Sequence, residues 1–182
     1  ALSAFAPDPK NNGKVVIEST ARLIKGPAFA RPLAAATQAD DWPVYRKDSG
    51  RTAATNSAVG SNLKKKWSLQ LAGDITPPVA AGGTVFIAEK DLHRVHAIAQ
   101  ATGKKRWTYT TAGRVDSPPA VWKGRVIFGC SDGWVYALDA TDGALVWRFR
   151  AAPQQRQMLA HEQLESVWPV SGSVLVEFDR VY

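Results

Sequence analysis

Much of what marks an enzyme or a membrane anchor is missing from this sequence. Cysteine appears once, as Cys130, so no internal disulfide can form and no cysteine pair is at hand for metal or redox chemistry. The three histidines, His93, His96 and His161, do not cluster: His93 falls in a hairpin and His96 on a strand, so they project differently. A Ser117, His96 and Asp116 triad can be written down, but no spacing supports it. No apolar run is long enough to cross a bilayer as a helix. Phosphate-loop and dinucleotide fingerprints are absent, as is any specific nucleic-acid motif. The first ten residues lack the basic start and apolar core of a signal peptide, and the chain opens at Ala1. The expectation is therefore a piece cut from a longer polypeptide.

What is present is an ordinary globular composition, 45% apolar and 21% charged, which argues against wholesale disorder. A length of 182 residues sets a prior of one domain with a sizeable core. The net charge is +7 and the sequence pI near 9.7, so the surface is basic. The basic residues fall as Lys64-Lys65-Lys66, as Lys104-Lys105-Arg106, and as Arg148 with Arg150, each group beside a tryptophan. They read as solvated strand edges, where cations discourage edge pairing. The functional counterpart is a basic rim that attracts an acidic polysaccharide or another anionic surface.

The strongest signal is a repeat. Trp67, Trp107 and Trp147 recur at a period of forty residues. One unit reads Thr76-Pro77-Pro78-Val79, Gly83-Thr84-Val85-Phe86-Ile87-Ala88, Val95-His96-Ala97-Ile98 and Thr102-Gly103-Lys104-Lys105-Arg106-Trp107. The next reads Ser117-Pro118-Pro119-Ala120, Gly124-Arg125-Val126-Ile127-Phe128-Gly129, Val135-Tyr136-Ala137-Leu138 and Asp142-Gly143-Ala144-Leu145-Val146-Trp147. Short runs rich in Val, Ile, Phe and Tyr between Gly- and Asp-containing turns read as strand, turn, strand. Asp132-Gly133 reads as a two-residue type I′ hairpin turn. A period near forty residues with four short strands per unit is the size of one β-propeller blade. Ala97 and Ala137 imply tight packing beside a large neighbour, and the following indole supplies one.

Ala97-Ile98-Ala99-Gln100-Ala101-Thr102-Gly103-Lys104-Lys105-Arg106-Trp107 and Ala137 through Trp147 resemble the tryptophan-docking repeat of pyrroloquinoline-quinone-like (PQQ-like) β-propellers, roughly Ala-x-Asp-x-x-Thr-Gly-x-x-x-Trp. The first copy departs from it at Ala99 and the second at Asp142. Asp41-Trp42-Pro43-Val44-Tyr45 resembles the Trp-Pro segment that opens many such propellers. The resemblance implies an all-β partial propeller with about two complete four-stranded blades, the start of a third and an irregular N-terminal segment. It also implies a structural docking set of Trp67, Ala97, Gly103, Trp107, Ala137, Gly143 and Trp147, and an extracytoplasmic, periplasmic setting.

The division expected is a connector over 1–40 and repeats over 41–182, with units at about 64–107, 108–150 and, in part, 165–182. Within the connector Pro7, Pro9, Gly26-Pro27 and Pro32 break long elements, and Val15-Val16-Ile17 reads as one short strand. Trp42 and Tyr45 are the expected anchors of the polar stretch that follows. The composition of Gln154 through Leu164 predicts a short helix with Met158, Leu159 and Leu164 on its apolar side. Gly172 through Tyr182 aligns with Ser117 through Ile127 as the opening of a third blade.

For function, the resemblance leaves two classes open. One is a non-catalytic scaffold for binding or assembly, in which the partner is another protein or the remaining blades, and no cofactor is expected. The other is part of a quinoprotein dehydrogenase, in which PQQ and Ca²⁺ sit on the channel axis, held by a Glu/Asn/Asp set beside adjacent cysteines. Neither that set nor a cysteine pair is apparent, which favours the scaffold. The candidate binding loop is the polar insertion carrying Gln154, Gln155, Glu162, Glu165 and Trp168.

Overall fold

The structure, a computed structural model, describes residues 21–34 and 37–182. The strand expected at Val15–Ile17 lies outside the described residues. Among those described there is no helix, and the chain is built from antiparallel strands.

Leu23–Lys25 (β1) comes first in the chain. Val79–Ala81 (β2), Thr84–Glu89 (β3), Arg94–Ala99 (β4) and Lys105–Thr110 (β5) then form a four-stranded meander, blade 1. Ala120–Trp122 (β6), Arg125–Gly129 (β7), Trp134–Asp139 (β8) and Leu145–Arg150 (β9) repeat it as blade 2. The two copies agree in register. Phe86 faces Ala97 and Ala97 faces Trp107; Ile127 faces Ala137 and Ala137 faces Trp147. In each blade the register shifts immediately after that alanine. An extra residue there bends the outer strand and turns its indole.

Side chains alternate across each pleat, so each blade has two faces to cover. One core lies between the blades, where Phe86, Val95 and Trp107 of blade 1 meet Phe128, Tyr136 and Leu138 of blade 2. Its rings are ordered: Phe128 stacks on Tyr136 at 5.5 Å, and Tyr109 meets Tyr136 edge-on at 6.1 Å. A second core lies on the far face of blade 2, around Ile127, Val135, Ala137 and Val174.

The N-terminal residues strap blade 2 from its outer edge to its inner one. β1 pairs with β9 as a fifth strand, through Leu23 opposite Phe149 and Lys25 opposite Trp147. Its side chains are exposed, so backbone bonding holds it, helped by Arg22, which donates to the carbonyls of Arg150 and Ala151 at 2.9 Å each. Further on, Arg31 bridges to Asp142 at 2.9 Å and the Ala34 N–H donates to the carbonyl of Lys123. The strap ends at the inner strands, where Trp42 exchanges backbone bonds with Ala80 and the carbonyl of Pro43 accepts from the N–H of Val121.

Two expectations are corrected. Residues 154–164 are not a helix: Gln157–Ala160 (β10) and Gln163–Ser166 (β11) form a hairpin. Its tip residues His161 and Glu162 both adopt positive φ, 49° and 62°, the type I′ geometry. Neither is a residue that favours it, so the turn carries no sequence signal, and the helix propensity of Gln, Met, Leu and Ala yields to cross-strand pairing. Asp132-Gly133 is not a type I′ turn, since only Gly133 has positive φ. The Gly133 N–H bonds back to the carbonyl of Cys130, and the Asp132 carboxylate accepts from the Trp134 N–H, giving a longer turn with glycine at the left-handed position. Finally, Val176–Glu177 (β12) and Arg180–Val181 (β13) pair around Phe178-Asp179, at φ 48° and 59°, the same hairpin as β6–β7 around Lys123-Gly124.

Candidate functional site

The repeated feature of the molecule is an indole laid on a glycine turn, once from the strandless segment at Trp67 onto blade 1 and once from blade 1 onto blade 2. The Trp67 indole N–H donates to the carbonyl of Gln100 at 2.8 Å, and that of Trp107 to the carbonyl of Ala140 at 3.0 Å, each 33 residues on. Under each indole lies a glycine in the left-handed region, Gly103 at φ 70° and Gly143 at φ 75°. A β-carbon on Gly103 would stand 2.6 Å from Cδ2 of Trp67, and one on Gly143 2.7 Å from Cδ2 of Trp107. The glycine thus supplies both the turn and the space for the ring. Ala97 and Ala137, fully buried, sit opposite Trp107 and Trp147 on the neighbouring strand.

Trp147 differs. Among the described residues no glycine meets its ring in this way. With Phe149, Val135, Val170 and Val181 it lines an open, apolar hollow of about 400 Å³ on the outward face of blade 2.

The proposed loop is partly gathered. Gln154 and Gln155 share a cleft of about 130 Å³ with Arg148, Arg150, Arg156 and Trp134. Arg148 Cζ lies over the Trp134 ring at 4.6 Å, a cation–π contact. Asp132 also lines this cleft, but the Tyr136 hydroxyl and the Trp134 N–H bond to its carboxylate. Glu162 stands exposed at the tip of β10–β11, Glu165 is buried on β11, and Trp168 is half-buried beyond it. None of these three lines the cleft. The sequence reading placed Arg148 and Arg150 in the basic rim and not with the loop. Two residues apart on β9, they share a face of that strand.

A second polar constellation is internal. Glu89 and His96, both buried, are joined at 2.7 Å on β3 and β4. The other ring nitrogen of His96 meets the Thr108 hydroxyl at 2.8 Å, and the second Glu89 oxygen accepts from the Ala72 N–H at 2.7 Å. Burial pushes the His96 ring toward its neutral form, against the pull of Glu89. Burial would raise the Glu89 carboxyl, but the bonds from His96 and Ala72 outweigh it and hold the group below its ordinary range. The network assigns the neutral ring an N–H toward Glu89 and an acceptor toward Thr108. The named partners lie on β5 and in the 67–75 segment, so the pair fastens that segment to blade 1. Cys130 is buried, and burial pushes its thiol up and away from the reactive thiolate.

Among the described residues no three His, Cys, Asp or Glu side chains converge in a way that would hold a metal, and Cys130 has no cysteine beside it.

A family model described as "Outer membrane protein assembly factor BamB" matches residues 33–180. The chain belongs to this PQQ-like propeller family. One relative in it is the dehydrogenase subunit of an alcohol dehydrogenase (quinone) from Gluconacetobacter polyoxogenes, 31% identical over 66% of this chain and 19% of that protein. Another is the outer membrane protein assembly factor BamB of Moranella endobia, 36% identical over 43% of this chain and 19% of that protein. Among solved structures, the quinohemoprotein alcohol dehydrogenase of Comamonas testosteroni superposes with a TM-score of 0.60 at 25% identity, over 78% of this chain and 22% of that one. The chain thus spans about a fifth of the length of the curated relatives it matches. The PQQ-like propeller fold is common to an assembly factor and to dehydrogenases, so fold alone does not choose between them.

Proposed function

We propose that this chain is a non-catalytic propeller module, a scaffold for binding or assembly in the cell envelope, with residues 41–182 as the repeat region and 1–40 as a connector. The observation that carries the reading is the indole-on-glycine joint, repeated at Trp67 and Trp107 and left open at Trp147. The chain's repeated residues serve to join one unit to the next. In this reading Trp67, Ala97, Gly103, Trp107, Ala137, Gly143 and Trp147 are the docking set, and the hollow at Trp147 receives the next blade of the same propeller. The exposed Lys64–Lys66 and Lys104–Arg106 groups form a basic rim toward an anionic surface. The test is cross-linking of the protein in an envelope extract. A specific protein partner is expected, and recovery of none would overturn the reading.

The identity to a quinone alcohol dehydrogenase favours a second reading, in which these blades belong to a dehydrogenase whose cofactor ligands lie on other blades. Adding PQQ and calcium and following dye-linked alcohol oxidation separates the two. Tight binding with turnover would replace the first reading with the second.

A further inference from the structure

We propose that the outer edge of β5 docks an extended, acidic segment of a protein partner, laid antiparallel with a glycine where it crosses the strand's bulge; this rests on the scaffold reading and names its partner chemistry. The chain carries its own template for such a segment. β1 lies along the outer edge of β9, where the Arg150 N–H donates to the carbonyl of Arg22 and the Gly26 N–H to that of Val146, each at 2.8 Å. Between them Ile24 and Arg148 face each other as the mutually bonded pair.

Blade 1 presents the same edge without a strap. Forty residues earlier, Arg106, Thr108 and Thr110 hold the places of Val146, Arg148 and Arg150. The Thr111 N–H donates to the carbonyl of His93, so alternation along the ladder turns the backbone groups of Thr108 and Thr110 away from β4. Among the described residues no strand lies beyond β5 to meet them. Arg106, Thr108 and Thr110 are all exposed, whereas Val146 and Arg150 on the strapped edge are buried.

Two features select the occupant. The first is a bulge, present at the start of both β5 and β9. Across the β9 bulge β1 places Gly26, where a β-carbon would stand 2.1 Å from the carbonyl oxygen of Leu145. Lys105 holds Leu145's place in blade 1, so a segment crossing there in the same register needs glycine too. The second feature is charge. Lys104, Lys105 and Arg106 lead into β5, and Trp67 rests on Gly103 just before them, which brings the end of the Lys64-Lys65-Lys66 run alongside. Residues 49–73 and 92–115 contain no Asp or Glu. Glu89, whose charge reaches Lys105, is buried and already bonded to His96 and to the Ala72 N–H. Carboxylates on an added strand therefore suit this edge.

Fluorescence anisotropy and amide exchange on the intact protein test this with a labelled acetyl-Glu-Leu-Ile-Glu-Gly-Pro peptide, patterned on residues 22–27 with glutamate for Arg22 and Lys25. Saturable binding is expected, with slowed exchange at the Thr108 and Thr110 amides. Alanine for the peptide's glycine should weaken it about tenfold or more, and so should Thr110→Pro, which removes one outward donor and leaves the β4 ladder intact. Lysine for both glutamates should weaken it likewise. Equal binding of the alanine or the lysine peptide would overturn the proposal. So would slowed exchange elsewhere than on β5, no binding at all, or equal slowing by polygalacturonate, which has no main-chain amides to add. If cross-linking still recovers a partner in any of these cases, the scaffold reading stands and only the β5 site falls.

Discussion

At the scale of single residues, two glycines with the same backbone habit ought to behave differently. Gly82 and Gly143 both have positive φ, 56° and 75°. A β-carbon on Gly82 meets open space, whereas one on Gly143 collides with the Trp107 ring. Gly82→Ala therefore pays for the left-handed conformation alone, about 1–2 kcal/mol. Gly143→Ala adds displacement of a buried indole, whose outright loss in Trp107→Ala costs about 3–5 kcal/mol. Urea unfolding of the three variants is expected to rank them Gly82→Ala, Gly143→Ala, Trp107→Ala in rising cost. A Gly143→Ala cost equal to that of Gly82→Ala would show that the joint does not bear on stability.

The Glu89–His96 pair makes a prediction in pH. The folded ring resists protonation while the unfolded one titrates at its ordinary 6.5, so the unfolded state binds more protons below that value and stability falls as pH drops through it. Glu89 acts lower down: its folded carboxyl stays ionised, the stabilisation is complete above the ordinary 4.5, and it is lost as pH falls beneath that. Two successive losses on acidification are expected in the unfolding midpoint. His96→Gln, which keeps hydrogen-bonding ends for Glu89 and Thr108, should remove the upper one and leave the lower. Identical profiles for both proteins would remove His96 from the account.

At the scale of elements, β1 is held by its ladder with β9 and by Arg22, with its own side chains exposed. Ile24→Pro deletes a ladder donor without touching the core, so a loss of about 1–3 kcal/mol is expected, with faster amide exchange across Leu145–Arg150. Unchanged exchange there would mean that the strap contributes nothing to blade 2. This strand also shows where the sequence stopped speaking. β2 to β9 were legible because alternating apolar runs and glycine turns repeat, and the two copies corroborate each other. β1 has no copy, no buried face and no turn of its own; only its partner makes it a strand. The β10–β11 hairpin was hidden for a related reason: its turn uses His161 and Glu162 where Gly82-Gly83 or Lys123-Gly124 serve elsewhere. Of the candidate loop, Gln154 and Gln155 line the cleft of Arg148 and Arg150. Glu162, Glu165 and Trp168 were grouped with them as one polar insertion, and the β10–β11 hairpin places all three outside that cleft.

For the whole molecule, the outward face of blade 2 decides behaviour in solution. The equivalent face of blade 1 is closed by blade 2, with Trp107 buried to 9% exposure. On blade 2 the corresponding face carries Trp147, Phe149 and Val170 around a hollow of about 400 Å³, and Phe149 retains 37% of its surface. Nothing described here covers it except β12, β13 and the residues leading to them, which line one side. An apolar, concave face beside short two-stranded sheets with unpaired edges favours association of one copy with another. The net charge of +7 opposes this at low salt and is screened over about 8 Å at physiological ionic strength. Light scattering of this chain is therefore expected to show association that rises with concentration and with salt. Phe149→Glu places a charge at the mouth of the hollow, on an exposed position of β9, and should restore the monomer while leaving the cooperative melt in place. A wild-type chain that stays monomeric at all concentrations and salts would show that β12, β13 and their flanking residues already close the face. The hollow at Trp147 would then be a finished surface rather than a seat for another blade.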